Sequence, residues 1–440
     1  MTPDWVIHAI GLFSLLFVVF LTGIPVAFGF FAVSSFYLAF VLGRPDQLFW
    51  VALSPFTSLS TFSLAPVMFF VLLGSLLFHS GAVDIALRAI EVWTPNIPAR
   101  LSVVASLTGA ALASLTGSSI ASATLLSKML VPKMLERKYS PLLAIGPSFA
   151  AGGLALIVPP SGVIIILGAV TGISIGKLLI GGIVPGLILA GSYCLFSTMA
   201  AYIFPSLAPT DNDFAHIKWK EKWQLAISII PFGLIIFSVI GLLFLGVASP
   251  SQAAAFGTVS AFLLSLVYGR MNREIFQSAV SEALHISVML YTIVMGAKLF
   301  SQVIAFSGIA AGASESLTNL AVSPLVFFLM TQAVIFVLGL FMEINTIIFI
   351  TMPIFMPIVQ ILGIDPIHFG IVSIISLELA TYTPPFGLVL YASHSMLSDY
   401  ITINSMFKIA IPWIILELAG IFLFLFFPEI VLWLPNMMFR

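Results

Sequence analysis

Five residues that punctuate the stretch Pro132 to Gly162 recur when the chain is shifted by 225 positions without a gap. Pro132 falls on Pro357, Pro141 on Pro366, Pro159 and Pro160 on Pro384 and Pro385, and Gly162 on Gly387. Proline sets φ and removes a backbone donor, so a repeated proline register constrains the fold more than any repeated apolar residue could. A weaker echo, HSGAV at 79–83 against FSGIA at 306–310, lies at a shift of 227, so a short indel precedes each window. The chain reads as two related halves.

The medium follows from composition. With 60% apolar and 8% charged residues, the chain cannot be a water-soluble globule, whose charged fraction is nearer a quarter. It is a polytopic membrane protein, with the lipid bilayer as its solvent. A net charge of −1 argues against a nucleic-acid partner. Cys194 is alone, which excludes disulfides, and its apolar setting suits a small buried hydrophobe. No secretory signal is expected, since no basic n-region precedes the first apolar run; the first helix is expected to direct insertion.

A helix needs roughly 20 apolar residues to cross a bilayer. By that ruler Trp5 to Leu42 holds two crossings, turning at Thr22-Gly23-Ile24-Pro25. Residues 45–61 read as interfacial, Leu64 to Ser80 as a crossing, and Gly81 to Arg100 as a helix lying on the membrane face. Leu101 to Val131 is apolar, but its middle, ALASLTGSSIASAT, is crowded with small and hydroxyl residues. Basic residues flank both of its ends, which predicts a re-entrant hairpin with its tip at Gly117-Ser118-Ser119. The next crossing, Pro141 to Thr171, must unwind at Val158-Pro159-Pro160-Ser161-Gly162. Ile175 to Phe204 follows, then a polar linker at 205–223. Crossings come next at about Leu225 to Val247, Ala253 to Val267 and Val280 to Ala305. A second hairpin, Pro324 to Leu362, has its tip at Met342 to Thr346. A second broken crossing, Pro366 to Leu397, interrupts at Tyr382-Thr383-Pro384-Pro385-Phe386-Gly387, and Ile403 to Leu432 ends the chain as one helix.

Five crossings separate the repeat equivalents Ser140 and Asp365, and an odd number makes the repeat inverted. Charge agrees: with Arg100 to Lys138 inside, 12 of the 16 Lys and Arg fall inside, three outside and one, Lys298, within a helix. Both termini come out periplasmic. The expected fold is all-α, an inverted-topology repeat with two re-entrant helical hairpins and two discontinuous helices. Its expected division is 1–95 scaffold and interfacial arm, 96–175 first transport half, 176–323 scaffold with the linker 205–223, 324–400 second transport half, and 401–440 a C-terminal scaffold helix.

Discontinuous helices meeting hairpins across an inverted repeat build the midplane site of secondary transporters. Unwound carbonyls replace a cation's hydration, while helix N-termini and hydroxyls receive an anionic group. The groups needed are present as Thr116, Ser118, Ser119 and Ser161 in the first half, and Asn345, Thr346, Thr381 and Thr383 in the second. They are hard oxygen donors, suited to sodium and poor for transition metals. Isolated hydroxyls such as Ser238 are more simply helix-to-helix hydrogen bonders.

The runs GIPVAFGF (23–30), TGSSIASATLLSKMLVPKMLERKYS (116–140), GGLALIVPPSG (152–162), IVPGL (183–187), GLFMEINTIIFITMPIFMPIVQILGIDPIHFG (339–370) and TYTPPFGL (381–388) resemble the large, DctM-type membrane subunit of the tripartite ATP-independent periplasmic (TRAP) transporters. The resemblance spans essentially the whole chain. It implies an elevator-type transporter of the ion-transporter superfamily in the bacterial inner membrane, taking up a carboxylate such as a C4-dicarboxylate, sialic acid or other sugar acid with sodium. It further implies two partners, a small four-helix membrane subunit and a periplasmic substrate-binding protein, with Na+ as coupling ion and no organic cofactor. Carried over by position, one sodium site would use Thr116, Ser118 and carbonyls near Ala155, Val158 and Pro160, and the other Glu343 with carbonyls near Ala380, Thr383 and Pro385. The substrate would meet Ser119, Ser161, Asn345, Thr346, Thr381 and Lys298. The chain departs from the family's common pattern at Ala155 and Ala380, where Gly is usual, and at Glu343, where Asp is usual. A Gly-to-Ala exchange keeps a carbonyl ligand only where φ is negative.

Charged groups at depth are costly unless paired or wet. Glu343 is expected to be functional, its alternative being a hydrogen-bonded turn residue. Glu378 precedes a helix break and divides between function and structure. Lys298 either holds a carboxylate or snorkels, and Glu417 is assigned to the scaffold, facing the small subunit. His79, His285, His368 and His394 are expected at interfacial helix ends. No HExxH, CxxC, GxGxxG or GxxxxGK[ST] occurs, so neither a catalytic metal nor direct ATP coupling is expected. The competing readings are an intramembrane enzyme acting on a lipid-linked substrate, which would need a paired catalytic set not seen here, and a passive channel, which two closing hairpins oppose.

Overall fold

The computed structural model describes residues 4–47, 49, 53, 65–116, 118–209, 219–319, 322–385 and 387–438; the side chains of 47, 82, 83, 113–116, 221 and 317–319 are outside the described set. The predicted interfacial stretch 45–61 therefore falls largely outside it, as do residues 210–218 of the linker. Among the described residues there is no strand, and seven helices are long and apolar enough to cross a membrane.

In chain order the helices are α1 (Asp4–Leu21), α2 (Val26–Phe36), α3 (Ala65–His79), α4 (Ala82–Trp93), α5 (Arg100–Thr116), α6 (Ser119–Met129), α7 (Val131–Glu136), α8 (Pro141–Gly153), α9 (Gly162–Thr171) and α10 (Ile175–Ile203). The second half gives α11 (Trp219–Phe244), α12 (Pro250–Val267), α13 (Arg273–Phe306), α14 (Ile309–Asn319), α15 (Pro324–Gly339), α16 (Ile344–Ile361), α17 (Pro366–Thr381), α18 (Leu388–Leu397), α19 (Ile403–Phe426) and α20 (Pro428–Met437).

The proline register is realised in the helix starts. α6 and α16 begin 225 residues apart, as do α8 and α17, each of the latter pair with proline in its first turn. The caps match as well: Ser118 and Glu343 both hold extended backbone and accept from the amide three residues on, Ala121 at 3.4 Å and Thr346 at 3.1 Å. Ser140 and Asp365 take the same extended conformation before α8 and α17, and only Asp365 turns its side chain onto the helix amides. The shift of 227 reappears as α4 and α14, short helices that follow α3 and α13. α14 went unpredicted because its sequence, IAAGASESLTN, has neither a span's length nor a strong charge pattern.

Packing shows how the halves interlock. α5 and α6 form one hairpin and α15 and α16 the other, and the first part of each broken helix, α8 or α17, packs on its own hairpin. The second part crosses over: α9 packs on α16, and α18 on α6. Each repeat is thus completed by the other. α8 is buried at every position from Leu143 to Gly153, and α17 from His368 to Thr381, as expected of helices that are apolar all round and enclosed by protein. Small residues bring them close. A Cβ on Gly339 would overlap the Cβ of Ala380, and one on Gly152 would meet both backbone and Cβ of Ala123.

A second group, α2, α3, α11, α12 and α13, packs mainly among its own members and leaves wide apolar faces such as Ile227, Leu234 and Phe237 exposed, the composition of a lipid-facing surface. α10, α19 and α20, expected in the scaffold, pack on α5, α8, α9 and α17, so they lie with the hairpins. The last helix is not single: it breaks at Phe427 (φ −121°, ψ 75°) ahead of Pro428, because proline cannot continue the preceding hydrogen-bond ladder. α13 also begins at Arg273, a few residues before the apolar run that defined it, capped by Asn272 onto the Ile275 amide at 2.7 Å.

Candidate functional site

The two hairpin turns and the first helix break meet. A cavity of about 390 Å³ is lined by Ser118, Ser119, Ile120 and Ala121 from the first turn, Leu156, Pro160, Gly162, Val163 and Ile166 around the break, and Glu343, Ile344 and Asn345 from the second turn. Its opposite wall is α3, through Phe70, Gly74, Ser75 and Phe78, and α13, through Glu282, Ile286, Met289 and Leu290. The volume suits a small metabolite. Because α6, α9 and α16 all start at this wall, three helix N-termini with their positive dipole ends converge on one space, each with one amide taken by its cap residue, Ser118, Ser161 or Glu343.

Of the sequence-predicted residues, Ser118, Ser119, Pro160, Glu343 and Asn345 line this cavity. The Glu343 carboxylate is tied into its own turn: Oε1 accepts from Asn345 Nδ2 at 2.6 Å, and Oε2 from the Thr346 amide at 3.1 Å and hydroxyl at 3.5 Å. The hydrogen-bonded turn residue and the cavity residue are therefore the same group. Asn345 Oδ1 is buried with no protein donor.

Other predicted residues stand behind the cavity. Ser161 is fully buried, donating to Leu156 O at 2.6 Å and accepting from the Ile164 amide at 3.3 Å, so it caps α9. Thr381 and Thr383 donate back to Glu378 O at 2.7 Å and Leu379 O at 2.6 Å. A hydroxyl used as donor retains lone pairs for a cation. Ala155 lies in a 3₁₀ turn, Val158 just beyond it, and Ala380 near the end of α17. Neither alanine has positive φ, so the missing glycine costs no backbone strain at either place. Thr346 is buried within its helix start, and Pro385 ends the described part of the second break. The side chain of Thr116 is outside the described residues. Oxygen donors are the kind a hard monovalent cation takes; Ser118, Pro160 and Glu343 share the cavity wall, whereas Ala380, Thr383 and Pro385 are not among its lining residues.

Lys298 does not reach the cavity. Its Nζ donates to Val170 O at 3.3 Å, covering the C-terminal carbonyls of α9. Glu417, expected to face a partner, is instead fully buried, accepting through Oε2 from Tyr193 OH at 3.1 Å. Glu378 is likewise fully buried, its carboxyl against the Cα of Gly153. His368 is internal too, bonded to Phe424 O at 2.8 Å, whereas His285 is exposed but lies within α13 rather than at its end.

Two scaffold residues were not anticipated. Ser75 on α3 donates to Glu282 Oε2 on α13 at 2.5 Å, and His79 Nδ1 meets Ser75 O at 2.9 Å. Glu282 sits in the apolar approach to a span, where its acidity was a signal; its partner lies 207 positions away.

The comparisons with known proteins decide the family. The family described as "Tripartite ATP-independent periplasmic transporter, DctM component" matches residues 13–430. The chain belongs to the DctM family. It is 30% identical over 407 residues to the C4-dicarboxylate TRAP transporter large permease protein DctM of Pseudomonas aeruginosa, covering 91% of this chain and 92% of that one. It is 26% identical to the sialic acid TRAP transporter large permease protein SiaM of Vibrio cholerae, covering 94% and 95%. Among solved structures it resembles the YdaH transporter of Alcanivorax borkumensis with TM-score 0.65 at 14% identity, covering 87% of this chain and 89% of that one, which shows a shared fold. This DctM-family chain is therefore a transporter subunit, and the intramembrane-enzyme alternative is set aside.

Proposed function

We propose that this chain is the sodium-coupled membrane carrier for an organic acid, working in the bacterial inner membrane with both termini periplasmic. The observation that carries the reading is the cavity where both hairpin turns and a helix break face α3 and α13. A site held between two packed bodies can be exposed to either side by sliding one body past the other, the elevator mechanism, with the hairpins dipping in and returning rather than crossing. The three helix N-termini, Ser118 and Ser119 receive a carboxylate. Sodium, when bound, supplies positive charge beside the substrate. Ser118 with the carbonyls of Ala155, Val158 and Pro160, and Glu343 with those of Ala380, Thr383 and Pro385, are the groups that would hold it. The relatives carry TRAP names for C4-dicarboxylate and for sialic acid, which supports a carboxylate substrate, a periplasmic binding protein that delivers it and a small four-helix membrane subunit as partner.

The test is uptake by proteoliposomes containing this chain, its small subunit and its binding protein. Accumulation of a carboxylate that collapses when the inward sodium gradient is removed is the expected result. Uptake indifferent to sodium, or turnover of a lipid-linked substrate, overturns the proposal.

A further inference from the structure

The cavity wall carries a charge imbalance that uptake of an anion does not by itself explain. Among its described lining residues are two carboxylates, Glu282 and Glu343, and no lysine, arginine or histidine. Glu343 belongs to the turn proposed to hold an ion. Glu282 does not: it projects from α13 on the opposite wall, held by the Ser75 hydroxyl from α3 at 2.5 Å, with His79 behind Ser75 on the same helix. Glu282 is exposed to the cavity rather than buried in the scaffold. A carboxylate offers about four acceptor positions, and Ser75 occupies one.

The opposite wall has the complementary chemistry. Ser118, Ser119 and the first residues of three helix starts lie there, with Glu343 and Asn345 at the second turn. A bound molecule therefore meets hydroxyls and helix starts around the first turn and the break, and the Glu282 carboxylate on α13. Asn345 Oδ1, buried and without a protein donor, adds one more acceptor beside the second turn.

We infer that this carrier prefers a polyhydroxylated monocarboxylate to a dicarboxylate, with Glu282 the scaffold residue that sets the preference. The inference rests on the carboxylate-uptake reading and narrows it. One carboxylate lodges at the helix starts, and hydroxyls at the far end of the molecule donate to Glu282. A second carboxylate there would face Glu282 with like charge and no proton to donate. Leaving a polar site group unmatched is the stronger form of discrimination between similar ligands.

Gluconate and glucarate isolate this feature, since they differ only in a terminal hydroxymethyl against a carboxylate. The measurement is the thermal unfolding midpoint of the full chain with its small subunit in detergent and NaCl, titrated with gluconate, glucarate and succinate. The binding protein is left out so that the membrane site itself is read. Gluconate is expected to raise the midpoint at concentrations about tenfold lower than glucarate, the usual scale for one charge-assisted hydrogen bond gained or lost. In Glu282→Gln the unliganded midpoint should hold and the gap should shrink to about twofold. Should that variant fail to fold, Ser75→Ala, which frees Glu282 from its anchor, is expected to narrow the same gap. Equal response to gluconate and glucarate in the unaltered protein, a response to succinate alone, or an undiminished gap in Glu282→Gln overturns the preference while leaving carboxylate uptake standing. Silence toward all three acids, with no sodium effect, overturns both.

Discussion

Replacing Ser118 separates two roles that its hydroxyl fills together. The Oγ caps α6 by accepting from the Ala121 amide at 3.4 Å, and the residue lines the cavity beside Pro160. Losing an N-cap to alanine costs about 1 kcal/mol, whereas loss to glycine costs only a few tenths. Losing a charge-assisted oxygen contact to a bound cation costs about 1.5–3 kcal/mol with either substitution, or roughly ten- to a hundredfold in the sodium concentration for half-maximal uptake. Ser118→Ala and Ser118→Gly should therefore differ in thermal stability but share a right-shifted sodium curve. The assay is proteoliposome uptake against sodium concentration, with unfolding midpoints measured on the same preparations. If the sodium curve is unmoved in both variants, or moves only in step with the lost stability, Ser118 is a cap and not a ligand.

Other outcomes follow from the packing. Gly339→Leu should lower the unfolding midpoint by the equivalent of about 1–3 kcal/mol, because any Cβ there collides with Ala380; an unchanged midpoint would show that α15 and α17 are not in that contact. Lys298→Gln should leave both sodium and substrate half-saturation within about twofold, since Nζ serves the end of α9 and not the cavity; a large change in substrate affinity would return Lys298 to the binding site. With Cys194 replaced by alanine, single cysteines at 137 and 365 should label from opposite membrane faces with an impermeant thiol reagent, and labelling from the same face would end the inverted arrangement. Thr383→Ala should raise half-maximal sodium about tenfold or more without loss of expression, and an unmoved sodium curve would remove Thr383 from the second ion site.

The membrane setting, the two related halves, both hairpins and both broken helices could be read from the residues alone. Those features are local: apolar length sets a span, and a proline removes its donor and fixes its φ wherever it stands, so the interruptions at 158–162 and 382–387 needed no partner to be seen. The two hairpin tips were legible as well, and the structure makes Ser118 and Glu343 equivalent helix starts there. Which polar groups share a space became visible only once the helices were packed. Lys298 was a substrate candidate and Glu417 was assigned to a scaffold face toward the small subunit, yet one satisfies the end of a neighbouring helix and the other meets a buried tyrosine. Glu282 was not singled out at all, yet α3 and α13 bring it and Ser75 to the cavity that both hairpin turns line. Helix periodicity says which side of a helix a residue occupies, but not which helix will cover that side. The crossed pairing of α9 with α16 and α18 with α6 settles that question here, through contacts made by small and apolar residues spread across the chain.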